Sequence, residues 1–108
     1  ERAYLPPGVY RDKVTAMQNG VDLEFFSPSY VSPQSVPGPA VVFTGVMDYW
    51  PNVEGMLWFA AEVWPGVLRA VPTARLYVVG SRPTTAVRKL GDLPGIEVTG
   101  FVEDVRNY

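Results

Sequence analysis

The clearest pattern in the sequence is a change in the spacing of apolar residues between positions 41 and 71. An unbroken apolar run from Val41 to Phe43 ends at Thr44 and Gly45, which predicts a strand buried on both faces. The turn that follows contains residues that start helices. Asn52 is a candidate N-cap, Pro51 a candidate first helical residue, and Asp48 a candidate cap whose alternative is to point into a cleft.

Beyond this turn, apolar residues recur at steps of three and four, the spacing of one stripe along an amphipathic helix. Pro65 cannot donate a hydrogen bond to the carbonyl of Ala61, so a kink or break is expected at residues 63–65. The prediction is a strand, a tight loop and one long helix. The apolar stripe consists of Val53, Met56, Leu57, Ala60, Val63, Trp64, Val67, Leu68 and Val71.

Two further strands are predicted after the long helix. Residues 75–80 predict a second buried strand with a glycine at its carboxyl end, and residues 96–100 predict a third strand that is also closed by glycine. Pro83 is expected to begin a short helix between them, and residues 101–108 are expected to form a loop and the start of a helix. The β-α-β-α-β order predicts an α/β fold, with a parallel sheet, right-handed crossovers and doubly wound topology.

Residues 1–39 have a different character. Val14 to Met17 is a candidate short strand, and Asn19-Gly20 is a turn signal ahead of two adjacent aromatic residues, Phe25 and Phe26. Ser27 to Pro39 contains four prolines and four serines, a linker composition that forms neither helix nor sheet. We therefore expect an interdomain hinge or linker at residues 1–39 and a globular unit at residues 40–108.

Composition narrows the chemistry that the chain can perform. Its 108 residues make one domain at most, and a net charge of -2 argues against a nucleic-acid partner. The chain has no cysteine and no histidine, which excludes disulfides, thiolate catalysis and a histidine general base within it. No apolar run approaches the roughly 20 residues that span a bilayer. Any chemistry must use carboxylates, basic residues or backbone groups.

Three glycines occupy the carboxyl ends of the three predicted strands: Gly45, Gly80 and Gly100. In an open parallel sheet the ligand crevice lies outside these ends, and glycine allows a ligand or a loop to approach the backbone closely. The alternative is that each glycine only turns the chain out of its strand. No G-x-G-x-x-G or Walker motif follows the first strand, so a dinucleotide or P-loop nucleotide site is not supported.

The sequence resembles the bacterial glycosyltransferases of family 4, also called group 1, and more narrowly their exopolysaccharide-associated branch. The resemblance runs from about Val14 to Tyr108. It implies the GT-B fold, two Rossmann-like domains facing a cleft, and sugar transfer with retention at the anomeric carbon. The five segments that carry the resemblance, in the family's order and spacing, are Asn19-Gly20-Val21-Asp22, the proline-rich link, VVFTGVMDYWPNVEG, RLYVVGSRP and VTGFVEDV.

The resemblance places the chain at the hinge and the first half of the C-terminal, donor-binding domain, which makes it a fragment of a longer enzyme. Its substrate would be a nucleotide-sugar, with no metal or other cofactor, and its acceptor domain would lie N-terminal to it. The family's Glu-x7-Glu motif would fall after Tyr108, so no catalytic residue is assigned and the isolated fragment is expected to be inactive. The parent enzyme is expected in the cytoplasm, with peripheral attachment to the inner membrane as an option.

The resemblance also implies site residues. Gly45, Val46 and Asn52 belong to a loop beneath the donor diphosphate, at the amino end of the long helix, where backbone N–H groups and the helix dipole attract phosphate. Arg82 belongs to the GSRP loop after the second strand, and Gly80 joins the site residues as one of the three strand-end glycines. The residues that would flank the base and ribose are Gly100, Phe101, Val102 and Asp104.

The chain departs from the family pattern in its charged residues. An arginine and a lysine that the family carries after Gly45 are replaced by Val46 and Pro51. Arg82 is the nearest substitute in the sequence, with a solvent-facing loop arginine as the alternative. Asp104 either binds ribose hydroxyls or caps the helix that follows it.

Two further expectations concern class and assembly. The alternative from a different functional class is a small flavodoxin-like binding or regulatory module without catalytic activity. We also expect the fragment to form a homo-oligomer, because the strand Val41 to Gly45 would be an open apolar edge with no lysine or proline inside it. Pairing of this strand with its copy, or exchange of residues 1–39, would cover the edge.

Overall fold

The computed structural model describes residue 15, residues 17–32 and residues 36–108. Contacts divide the chain into two compact units, one ending at Tyr30 and the other running from Val31 to Tyr108. Of the hinge or linker predicted at residues 1–39, residues 1–14, 16 and 33–35 lie outside the described residues, and these include half of the strand predicted at Val14 to Met17. Thr15 and Met17 are exposed and belong to no strand. The division into residues 1–39 and 40–108 stays a prediction.

A turn centred on Asp22 organises the described part of the first unit. The Asp22 carboxylate accepts hydrogen bonds from the N–H groups of Glu24 and Phe25, at 3.0 and 2.9 Å, and the Phe26 N–H donates to the Asp22 carbonyl at 2.9 Å. The prediction of a turn at Asn19-Gly20 was wrong. An aspartate side chain that captures two backbone donors fixes the turn at its own position.

The linker segment carries no regular structure where it is described. Residues 27–32 and 36–39 contain neither helix nor strand, as their proline and serine content predicts. Within the second unit, the Ser32 hydroxyl donates to Oδ1 of Asn107 at 3.1 Å. The segment therefore has at least one specific contact with the end of the chain.

The second unit is built on a three-stranded parallel sheet: β1 (Ala40–Thr44), β2 (Arg75–Val79) and β3 (Ile96–Gly100), in the order β1-β2-β3. Val42 lies opposite Tyr77, and Val78 lies opposite Val98. Helices separate the strands in the chain, which confirms the predicted α/β fold with β-α-β-α-β order. The architecture is that of a partial Rossmann-like domain.

Burial differs sharply between the first two strands. The last four residues of β2 are buried, as its apolar run predicts. In β1, however, Val41 is 41% exposed, while Val42 and Phe43 are half-buried, so the prediction of a strand buried on both faces was wrong. An apolar run shows that the side chains of a strand are suited to burial. Actual burial also requires neighbouring elements on both sides of the strand. Among the described strands, β1 has a neighbour on one side only.

The hydrogen bonds at the two ends of β1 show which of its backbone groups face β2. The Gly45 N–H donates to the Val79 carbonyl at 3.0 Å, and the Pro39 carbonyl accepts from the Arg75 N–H at 2.9 Å. In a parallel pair the residues that bond to one neighbour alternate along the strand. Val42 and Thr44 therefore direct their N–H and C=O groups away from β2.

One long helical segment joins β1 to β2, in three parts: α1 (Trp50–Trp58), a π-helical stretch (Phe59–Val63) and α2 (Trp64–Ala70). The Trp64 N–H donates to the Phe59 carbonyl, five residues back. Pro65 has no N–H and its ring crowds the preceding turn, so the helix widens there instead of keeping regular geometry. The irregularity predicted at Pro65 is confirmed, and it extends one turn further towards the amino end.

The core lies between the sheet and this helical segment. Met56, Ala60 and Trp64 are the buried positions of the predicted stripe, while Val71 has left the helix and is exposed. Trp64 is the largest buried side chain, and its indole N–H donates to the Pro94 carbonyl at 2.9 Å. The core cluster consists of Met47, Met56, Ala60, Trp64, Ala74, Leu76, Val78, Val87, Leu90 and Ile96.

The shorter helices begin at side-chain caps. Helix α3 (Thr85–Arg88) begins after Thr84, whose hydroxyl accepts from the Val87 N–H at 3.3 Å, and it continues as a 3-10 turn (Lys89–Asp92). The prediction that this helix begins at Pro83 was wrong, because the threonine cap sets the start. A final 3-10 turn (Val105–Asn107) follows β3.

Candidate functional site

The three glycines at the strand ends meet at one edge of the sheet. The Gly80 N–H donates to the Gly100 carbonyl at 3.0 Å. Gly80 has a φ of 151°, and a Cβ placed on it would overlap the Gly45 carbonyl oxygen and lie 2.8 Å from the carbonyl carbon. Glycine at position 80 is therefore required by the close approach of the chain leaving β1. The role of Gly80 therefore goes beyond turning the chain out of β2.

Two loops at this edge are fastened together through Met47. The Met47 N–H donates to the Ser81 carbonyl at 2.9 Å, and the Met47 carbonyl accepts from the Thr84 N–H at 3.3 Å. The Met47 side chain is fully buried. Sequence reasoning missed this residue, because nothing in the sequence distinguishes it from the other apolar and aromatic residues of the same loop, Val46, Tyr49 and Trp50.

The amino end of α1 offers fewer free donors than expected. The N-cap is Tyr49, without a side-chain hydrogen bond, and Pro51 has no N–H. The amides of Asn52 and Val53 both donate to the Tyr49 carbonyl, at 2.9 and 3.1 Å. The helix dipole still favours an anion here, but a phosphate at this position needs donors from elsewhere.

Neither of the polar candidates caps α1. Asn52 lies inside the first turn, where its side-chain N–H donates to the Val46 carbonyl at 3.0 Å. Asp48 instead forms an ion pair with Arg82, with 2.9 Å between Oδ2 and Nε. The interpretation of Asp48 as a cap was wrong, because its partner Arg82 is distant in the chain and reaches it only through the parallel pairing of β1 with β2.

Arg82 is held in an uncommon backbone conformation. Its φ is 54°, in the left-handed region that costs a residue with a side chain about 1–2 kcal/mol. Its side chain is 68% exposed and that of Asp48 is 42% exposed. An ion pair this exposed contributes about 0–1 kcal/mol to folding. The ion pair therefore contributes less free energy to folding than the left-handed conformation of Arg82 costs.

Two open depressions flank Arg82. The first, of about 470 Å³, is lined by Val46, Asp48, Tyr49, Asn52 and Arg82. The second, of about 640 Å³, runs along β3 and includes Arg88, whose Nε donates to the Pro83 carbonyl at 3.0 Å. Arg82 borders both depressions. The lining of the second is Arg82, Pro83, Arg88, Gly91, Asp92 and residues 96–101.

The structure thus brings together some of the candidate site residues and leaves others apart. Val46, Asn52 and Arg82 share the first depression, while Gly100 and Phe101 line the second. Gly45 and Gly80 line neither depression, but their backbones lie against each other at the same edge of the sheet. Sequence reasoning missed Arg88 as a second cation beside β3.

Val102 and Asp104 line neither of these depressions. The Asp104 carboxylate accepts from the Arg106 N–H at 3.0 Å and pairs with the Arg106 guanidinium at 2.6 Å. This geometry confirms the capping interpretation of Asp104. A contact with ribose stays a prediction.

Acidic clusters and membrane-spanning helices are both missing from the described ranges. No three acidic side chains there gather closely enough to hold a metal ion. Likewise, none of the helices in this part of the chain combines the length and apolarity needed to cross a bilayer.

A comparison with protein-family models identifies the family to which the chain belongs. The family model described as "Glycosyl transferases group 1" matches residues 38–108, a range that contains all three strands and both depressions. The chain belongs to the group 1 glycosyltransferases. The search of curated proteins gave no significant match, and neither did the search of solved structures.

Membership in the group 1 glycosyltransferases confirms the family named from the sequence motifs. It also gives the edge of the sheet its chemical context, because ligands of open parallel sheets bind outside the carboxyl ends of the strands. In this glycosyltransferase, those ends carry the three glycines, the Met47 anchor and the Asp48–Arg82 pair.

Proposed function

We propose that this chain is part of the donor-binding domain of a retaining glycosyltransferase that uses a nucleotide-sugar in bacterial exopolysaccharide synthesis. The observation that carries the proposal is the convergence of Gly45, Gly80 and Gly100 at the carboxyl edge of a group 1 glycosyltransferase sheet. Family membership favours this function over a flavodoxin-like regulatory module.

The proposed binding mode uses the first depression and the segment at the carboxyl end of β3. The diphosphate lies over Gly45 and the Val46–Asn52 loop beside Arg82, and the nucleoside lies towards Gly100 to Asp104. Sugar transfer would need a second, acceptor-binding domain N-terminal to this one, so the 108-residue chain is expected to be inactive alone. We further propose a metal-independent reaction and a cytoplasmic location, with peripheral attachment to the inner membrane as an option.

Titration calorimetry with UDP, GDP and ADP tests the binding function. The titrations use both the 108-residue chain and the longest reading frame that contains it. At least one nucleoside diphosphate is expected to bind the longer protein. The absence of heat with all three would contradict the proposal.

Gly45→Val is expected to weaken the binding of that nucleoside diphosphate by about tenfold or more in the longer protein. A Cβ at Gly45 would lie 2.8 Å from the Asn52 side-chain nitrogen, so the new methyl groups must push Asn52 away and fill the space beneath the diphosphate. The fold should persist, because the displaced atoms belong to a flexible side chain. Calorimetry measures the affinity, and circular dichroism checks the fold.

Gly66→Val is the matched control, because Gly66 lies in α2 and the nearest atom to its Cβ would be the Arg69 guanidinium at 3.7 Å. Its nucleotide affinity should equal that of the wild type. Equal affinities for Gly45→Val and the wild type would exclude a diphosphate above this loop.

We also propose that the 108-residue chain forms a dimer by antiparallel pairing of β1 with β1 of a second copy. Val42 and Thr44 direct backbone groups away from β2, and β1 is mostly apolar and contains no lysine. An unpaired edge of this kind favours strand addition. Sedimentation velocity at micromolar concentration should show a dimer, and the amides of Val42 and Thr44 should exchange more slowly as concentration rises.

Thr44→Lys provides the discriminating variant, because an exposed lysine on an edge strand opposes pairing. It should return the chain to a monomer without loss of structure. A wild-type monomer with an ordered spectrum would contradict the dimer. A dimer that persists in Thr44→Lys would point to exchange of residues 1–39 instead.

A further inference from the structure

Arg82 is exposed in a way that folding does not explain. Its φ of 54° belongs to the region that glycine or asparagine occupies most readily. Its side chain has 68% of its surface exposed, and its ion pair with Asp48 is itself solvated, so the pair contributes little to stability. The hydrogen bonds of Ser81 and Thr84 to Met47 hold the backbone in this conformation, but they do not require an arginine side chain, which makes Arg82 a candidate for a functional role.

The backbone around Arg82 is fixed. On one side, the Ser81 carbonyl accepts from Met47, and on the other, the Thr84 N–H donates to the Met47 carbonyl. Thr84 also caps α3, and Met47 is fully buried. The guanidinium is therefore carried by a loop anchored in the core, which lowers the cost of ordering it around a ligand.

The charges around the first depression make Arg82 the binding group for an anion. Of the residues that line this depression, Arg82 is the cation and Asp48 is the anion. The amides of Asn52 and Val53 are already engaged with Tyr49, so the amino end of α1 supplies few donors. Arg82 is therefore the charged donor that this lining offers to an anion, and the Asp48 carboxylate is already bound to it at 2.9 Å.

We propose that Asp48 and Arg82 form an exchangeable latch, in which the Asp48 carboxylate holds the Arg82 guanidinium until a diphosphate group displaces it. The inference rests on the proposed nucleotide-binding function and adds to it a residue that opposes binding. A guanidinium binds phosphate oxygens in the same bidentate manner as a carboxylate. The more highly charged diphosphate displaces Asp48, whereas anions of single charge compete poorly.

The latch makes opposite predictions for its two members. Arg82→Gln removes the cation and should weaken the binding of inorganic pyrophosphate by about tenfold or more. Asp48→Asn removes the competing carboxylate and should strengthen it by about threefold to tenfold. In the Arg82→Gln background, Asp48→Asn should have a much smaller effect, because the two residues act through one contact.

Matched controls separate the latch from a general change in charge. Arg75→Gln removes a positive charge at the opposite end of β2, and Glu62→Gln removes a negative charge from the exposed face of the helical segment. Each should change pyrophosphate affinity by less than about twofold, since exposed charges beyond a Debye length are screened. Calorimetry of all variants in the longer protein, with circular dichroism to verify folding, supplies the measurements.

The outcomes distinguish the latch from the function on which it rests. If UDP, GDP or ADP binds the wild type but pyrophosphate affinity is unchanged in both latch variants, the latch is wrong and the function stands. If pyrophosphate responds as predicted but no nucleoside diphosphate binds, the latch stands and the function is wrong. Weaker binding in Asp48→Asn than in the wild type, or no pyrophosphate binding to Asp48→Asn, also overturns the latch.

Discussion

Gly80→Ala is expected to destabilise the sheet-containing unit by about 3 kcal/mol or more, through overpacking against backbone. The new Cβ would overlap the Gly45 carbonyl oxygen, and a backbone atom cannot move aside as a side chain can. The φ of 151° at Gly80 adds strain for any residue that has a Cβ. Separation of the carboxyl ends of β1 and β2 would relieve the overlap, at the cost of the hydrogen bonds around them.

Urea unfolding of the 108-residue chain, followed by far-ultraviolet circular dichroism, measures this loss. Gly100→Ala is the matched comparison, because Gly100 also has a positive φ, of 74°, but its Cβ would meet no atom within 4 Å. Its cost should be about 1 kcal/mol, from backbone conformation alone. Loss of the cooperative transition in Gly80→Ala with its retention in Gly100→Ala agrees with the prediction. Equal midpoints in the two variants contradict it.

Trp64→Ala is expected to cost about 3–5 kcal/mol, the range for removing a fully packed aromatic side chain. Trp64 is 2% exposed, and its indole contributes both apolar contacts and the hydrogen bond to the Pro94 carbonyl. Alanine would leave a cavity between the helical segment and the turn before β3, together with an unsatisfied carbonyl. The site should suffer as well, since this turn aligns β3 with β2.

Trp58→Ala is the control, because Trp58 is 61% exposed and lies on the solvent side of α1. Its unfolding free energy should change by less than about 0.5 kcal/mol. Trp64→Phe should fall between the two, since it keeps most of the apolar volume and loses the indole donor. A Trp64→Ala variant as stable as Trp58→Ala would show that the indole is not part of the cooperative core.

The spacing of apolar residues in the sequence predicted much of the fold. The apolar run of β2 indicated a buried strand, and β3 has the predicted bounds of Ile96 to Gly100. The spacing of Met56, Ala60 and Trp64 indicated the buried face of the helix. These features were predictable because they depend on neighbours within a turn or a strand, whose geometry is the same in every fold.

The effect of a single residue on backbone groups within one helical turn could also be predicted from the sequence. Pro65 indicated an irregular helix and Asp104 indicated a cap, because a missing N–H and a short carboxylate act on groups a few residues away. The same reasoning gave Asp48 a cap, which was wrong. The Asp48 carboxylate could bind either the nearby helix end or a cation, and the sequence does not show that Arg82 lies beside it.

Tertiary structure alone decided the partners that lie far apart in the chain. The exposure of β1 depends on which strand lies beside it, and the requirement for glycine at position 80 depends on the position of Gly45. The Asp48–Arg82 pair and the Met47 anchor likewise exist because parallel pairing brings the loops after β1 and β2 to one edge. By itself, the sequence determined the elements, their order and the family motifs. The contacts that build the site follow from topology, because strand pairing joins residues whose separation in the chain carries no periodic signal.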